Sequence, residues 1–145
     1  MNTFKNIFLI TVSLVFAATA GSAASLNDYD LPAVGGYDLV SYHQETGPVR
    51  GSGYHTAQYE GITYLFANKK NKATFEADPD KYLPAYNGFC AFGVSVGKKF
   101  NADPTVYKIV DGRLYLNLDK DIQKKWTKDI PGNIATADEN WKSMD

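Results

Sequence analysis

The residues with the most chemistry to offer are few. Cys90 is the only cysteine, His43 and His55 are the only histidines, and Met144 is the one methionine beyond the initiator. Thiolate and imidazole are donors that soft metals favour, so His43, His55 and Cys90 form a countable set for a copper ion. A structural zinc site with four Cys or His ligands is arithmetically excluded within one chain. Asp38, Tyr42, Tyr82 and Tyr86 could add harder oxygen donors, although ten tyrosines in a chain of 145 residues read more simply as core and rim aromatics. Taken singly, each histidine reads as a solvated loop residue, and only convergence in space would make the three a site. No nucleophile elbow, phosphate-cradling glycine loop or helix with paired histidines is present, so an enzyme is disfavoured against a binding module.

Where that thiol resides decides what it can do. Lys5 is followed by an almost unbroken apolar run over 7–20 and then by Gly21, Ser22, Ala23 and Ala24. Positive charge, apolar stretch and small residues, in that order, predict a secretory signal peptide over 1–24, cleaved after Ala23 or Ala24. The run is shorter than the roughly 20 residues that span a bilayer, so no stable membrane insertion is expected after cleavage. A single domain over 25–145, periplasmic or secreted, is expected. Loss of Lys5 leaves 14 basic against 16 acidic residues, a net charge of −2. That balance offers no basic stripe for nucleic acid and no polybasic membrane patch. With one cysteine the domain cannot staple itself, so the thiol is buried and inert, bound to a metal or poised to react with another molecule.

The elements that must position these residues follow from period and punctuation. The stretch 25–34 is an irregular lead, and 39–42 is a short strand or turn. Glu60-Gly61 joins β-rich runs at 54–59 and 62–67, and Asp111-Gly112 joins alternating runs at 106–110 and 113–118. Both dipeptides suit tight hairpins. Asn68 caps a helix over Lys69–Ala77 with Phe75 facing inward, and Asp119 caps another reaching about 128. Pro131 interrupts, and a last helix over 133–141 packs Ile134 and Trp141. No internal repeat is read. The fold class expected is α+β: a small single domain with antiparallel β-hairpins packed against short helices and two C-terminal helices.

Several of these runs resemble a known family. Gly36-Tyr37-Asp38-Leu39-Val40-Ser41-Tyr42, then Tyr59-Glu60-Gly61-Ile62-Thr63-Tyr64-Leu65-Phe66-Ala67, then Phe75-Glu76-Ala77-Asp78-Pro79-Asp80-Lys81-Tyr82 are similar to the YHS domain. Its exported single-domain branch is similar further on, at Tyr86-Asn87-Gly88-Phe89-Cys90-Ala91-Phe92-Gly93 and Val110-Asp111-Gly112-Arg113-Leu114-Tyr115. The resemblance implies an association with heavy-metal handling, carried in metal-associated members by cysteines whose positions fall here at Ser41, Ala67 and Asn71. None of these supplies a thiolate, so metal binding rests on Cys90, which belongs to the exported branch's own pattern.

The leading expectation is therefore a periplasmic metal-associated binding module, copper the favoured ion, with Cys90 the indispensable donor and His55 or His43 auxiliary. The alternative is a metal-free domain for a small ligand or a protein, in which Cys90 is a core residue and Tyr37, Tyr42, Tyr82, Tyr86 and Phe92 form an aromatic groove. Thiol-redox sensing ranks third, for it needs a second thiol from another molecule. Oligomeric state is left open.

Overall fold

The computed structural model of the chain describes residues 31–144. The leader expected at 1–24, and with it the expectation of export, lies outside the described residues. The fold is α+β, as the sequence leads one to expect. Its order is β1 (Ser52–Tyr59), β2 (Ile62–Phe66), α1 (Lys69–Ala77), α2 (Pro79–Tyr82), α3 (Ala91–Ser95), β3 (Asp103–Val110), β4 (Arg113–Asn117), α4 (Lys120–Trp126) and α5 (Ile130–Trp141). β1 pairs antiparallel with β2, and β3 with β4, as two separate two-stranded sheets.

Local chemistry accounts for most boundaries. Glu60 and Gly61 have φ of 50° and 78°, and Asp111 and Gly112 have φ of 50° and 77°. Two successive positive φ angles define the type I′ turn, whose twist matches that of the flanking strands. A Cβ on Gly61 or Gly112 would meet nothing within 4 Å, so conformation, not space, calls for glycine there. The Asn68 side chain accepts a hydrogen bond from Asn71 N at 2.9 Å, and Asp119 accepts from Ile122 N at 2.7 Å, capping α1 and α4. Pro131 sits in the first turn of α5, where its missing N–H has no intrahelical partner to lose. The last helix accordingly starts at Ile130, three residues before the position expected from the sequence.

The reading of no internal repeat is corrected by the backbone. Ala33–Gly36 and Ala85–Gly88 are short 3₁₀ turns, entered from Leu31-Pro32 and Leu83-Pro84. Both run through left-handed backbone, with φ of 51°, 59° and 78° at Val34, Gly35 and Gly36 and of 55°, 52° and 82° at Tyr86, Asn87 and Gly88. An extended aromatic follows each turn and makes an isolated antiparallel bridge, Tyr37 with Arg50 and Phe89 with Asn101. The next residue donates its N–H across the same gap, Asp38 to Val49 O and Cys90 to Phe100 O, both at 2.9 Å.

The hairpins continue the correspondence. Ser52 faces Phe66 and Thr56 faces Leu65, while Asp103 faces Asn117 and Tyr107 faces Leu116. In each hairpin the long strand thus carries an irregular segment at the same place, opposite two adjacent residues of the short one. Each is followed by a capped helix with a fully buried aromatic, Phe75 or Trp126. Then come Asp78 (φ −157°, ψ 76°) and Asp129 (φ −150°, ψ 77°), each leading into the next helix. The spacing is 52 through the turns, from 33 to 85, and 51 through the hairpins, from 60 to 111.

Each half has a core, and β4 joins them. Leu39, Tyr42, Tyr64, Phe66, Phe75 and Tyr82 cluster with Leu114 and Leu116 of β4. The second cluster gathers Ala85, Tyr86, Ala91, Val94, Trp126 and Ala137 around Tyr115. Strand alternation explains the split, since 114 and 116 point to one face and 115 to the other.

Candidate functional site

Asp38 and Cys90 occupy equivalent positions in the two halves, and their surroundings show what the thiol does. Asp38 is fully buried; its Oδ1 accepts from Val40 N at 2.9 Å and Ser41 N at 3.3 Å, and its Oδ2 from Ala67 N at 2.9 Å and Asn71 Nδ2 at 2.7 Å. By accepting from Val40 N and Ser41 N, that carboxylate leads 39–42 into a 3₁₀ turn at Ser41–His43 rather than a strand. Cys90 is 1 % exposed, caps α3 by accepting from Gly93 N at 3.4 Å, and donates its S–H to Asn117 Oδ1 at 3.8 Å. The sulfur is therefore both at a helix start and inside the core.

The three expected metal ligands are not brought together. Among the described residues no group of three or more His, Cys, Asp or Glu side chains could hold a metal ion. His55 lies in the irregular segment of β1, half-buried beside Tyr54, which is 94 % exposed. His43 ends the Ser41–His43 turn, its ring edge-on to Tyr82 at 5.3 Å between centroids. Its Nε2 is buried without a hydrogen-bond partner, and burial first, then the charge of Lys81, pushes its pKa below the ordinary imidazole value. The expected aromatic groove is not one surface either. Tyr42 and Tyr82 belong to the first core, Tyr86 to the second, and Phe92 packs against the second from its edge. Tyr42 donates its O–H to Pro104 O at 2.7 Å and Tyr86 donates to Asp138 at 2.9 Å. Burial leads both phenols to titrate far above the usual tyrosine range.

What sequence reasoning missed is the seam between the halves. A cleft of about 490 Å³ lies where the two left-handed turns meet, walled by Pro32, Val34 and Gly35 from one and Asn87, Gly88 and Phe89 from the other. Leu31, Asn101, Ala102, Pro104 and Leu116 complete it, and no charged side chain lines it. A second cleft of about 280 Å³ shares Val34 and Asn87 with the first and opens onto Glu60, Ile62 and Tyr64. Val34 at the wall between them is β-branched with φ of 51°, a conformation such residues rarely adopt and that costs about 1–3 kcal/mol. Its carbonyl accepts from Tyr37 N at 3.1 Å and its side chain packs on the first core, which hold it there. The Leu-Pro-Ala triplets at 31–33 and 83–85 were the sequence signal available for this seam.

No helix among the described residues is long and apolar enough to cross a membrane. Comparison with family models, with curated proteins and with solved structures finds no match for this chain.

Proposed function

We propose that the chain is a metal-free binding domain of exported YHS type, whose seam cleft takes a neutral, mostly apolar small molecule carrying a hydrogen-bonding group. The cleft at the junction of the two half-repeats carries this reading. Its volume of about 490 Å³ falls in the range of small-molecule sites. Its apolar walls and uncharged lining favour a neutral ligand, and the Asn87 and Asn101 amides supply donors and acceptors that would orient it. The export component rests on the residue pattern at 1–24, and the family component on the matching runs quoted above.

The metal reading gains no support from the surroundings of Cys90. Its sulfur is enclosed and is engaged with Gly93 N and Asn117 Oδ1, neither of them a histidine. Phe89 connects the cleft to a reporter, for its ring lies 6.2 Å from that of Trp141. Camphor, a neutral apolar ketone, is expected to change tryptophan fluorescence saturably. Ala102→Phe, which fills the cleft, is expected to abolish the response while leaving the circular dichroism unchanged. A response that survives Ala102→Phe, or none in the wild type, would remove the cleft as the site. Cu(I) under reducing conditions is expected to leave the melting temperatures of wild type and Cys90→Ser unchanged; a shift confined to the wild type would restore the metal reading.

A further inference from the structure

The smaller cleft has a counterpart in the other half that is already filled. By the 52- and 51-residue spacings, Ala33, Val34, Glu60, Ile62 and Tyr64 correspond to Ala85, Tyr86, Asp111, Arg113 and Tyr115. In the second half the Arg113 guanidinium lies 5.6 Å from the Tyr115 ring centroid and 5.5 Å from that of Tyr86, with Asp138 at 3.8 Å. The chain's own cation thus occupies that place, held by aromatic faces and a carboxylate. In the first half Ile62 replaces the arginine and Val34 replaces the second tyrosine. What remains is an open cleft of about 280 Å³ with Tyr64 in its wall and Glu60 as its one charged lining residue.

We propose that this cleft binds a small organic cation, a guanidinium or amine on a short apolar stem, in the place that Arg113 fills in the other half. Ile62, Leu83 and Pro84 supply apolar wall for the stem, and Tyr64 and Glu60 supply the π face and the counter-charge. Glu60 takes part in none of the ion pairs among the described residues, so its carboxylate is available. It stands near enough to raise the Tyr64 phenol above its ordinary range, after burial, which places the two groups in one electrostatic neighbourhood. The site adjoins the uncharged seam cleft, with Val34 and Asn87 in the shared wall, but its charge recognition lies at Glu60, and neither reading depends on the other.

Butylguanidinium is the probe, and butylurea, its neutral near-isostere, the control. Amide chemical shifts of the wild-type protein are followed at low ionic strength. Butylguanidinium is expected to move the Glu60, Gly61 and Ile62 resonances saturably, with butylurea weaker by about tenfold or more. Glu60→Gln is expected to weaken butylguanidinium binding by a similar factor. Ile62→Arg, which puts the cation back at its second-half position on a residue 44 % exposed, is expected to abolish it while the remaining spectrum stays in place. Equal binding of the two probes, indifference to Glu60→Gln, or shifts centred on Asn101 and Ala102 would each overturn the proposal. The last pattern would assign the probe to the seam cleft, so the two sites are distinguished in one experiment.

Discussion

At the level of single residues, Asp38 and Cys90 show equivalent positions carrying unequal responsibilities. Removing the Asp38 carboxylate strands Val40 N, Ser41 N, Ala67 N and Asn71 Nδ2 inside the protein. Asp38→Ala is expected to cost about 3–5 kcal/mol in urea denaturation, the range for breaking a buried charged network. Cys90→Ser keeps an acceptor for Gly93 N and a donor for Asn117, and is expected to stay within about 1 kcal/mol of wild type. A Cys90→Ser loss as large as that of Asp38→Ala would mean that the sulfur does more than cap and pack. His43 gives a pH signature. Burial, then the charge of Lys81, lowers its pKa in the folded chain, whereas the unfolded chain takes up a proton near pH 6.5. The stabilising contribution is therefore complete above that pH and declines as pH falls through the lowered folded value. Melting temperatures of wild type and His43→Gln are expected to run parallel above pH 7 and diverge below pH 6.5, the wild type falling faster.

Among the elements, the two left-handed turns are where local preference and structure disagree. Val34 is strained in a place that also partly buries its isopropyl group. Asn tolerates left-handed backbone and Ala does not, so Val34→Asn is expected to be more stable than Val34→Ala by about 0.5–1 kcal/mol, despite its polarity. The reverse order in thermal unfolding would show the turn to be unstrained. Turns at 35–38 and 84–88 can be read from their glycines and proline, but their left-handed backbone was illegible in the sequence for the same reason: neither Val34 nor Tyr86 advertises a positive φ. The hairpins and capped helices were legible, because Glu60-Gly61, Asp111-Gly112, Asn68 and Asp119 determine their local backbone by their own chemistry. That the expected metal trio does not converge was illegible for a related reason. His43, His55 and Cys90 are fixed by a 3₁₀ turn, a strand irregularity and a helix cap, and no count of residues reveals where such features point.

Across the whole molecule, the duplication raises the question of whether the halves fold separately. Its faint sequence trace, Leu-Pro-Ala before each turn and an acid-glycine pair in each hairpin, was outweighed by divergence at Asp38 and Cys90, Ile62 and Arg113, and Phe66 and Asn117. Those differences follow from the way the halves join. β4 gives Leu114 and Leu116 to the first core and Tyr115 to the second, so neither core is complete without this strand. Both tryptophans, Trp126 and Trp141, sit in or against the second core, and their fluorescence reports that half alone. Phe75→Ala removes a fully buried ring from the first core, a change that costs about 3–5 kcal/mol. If β4 couples the cores, the tryptophan transition of Phe75→Ala moves to lower urea by as much as the circular dichroism transition does, and the two remain superimposed. A tryptophan transition left at its wild-type midpoint would show two independent cores, and the seam clefts would then lie between bodies free to separate.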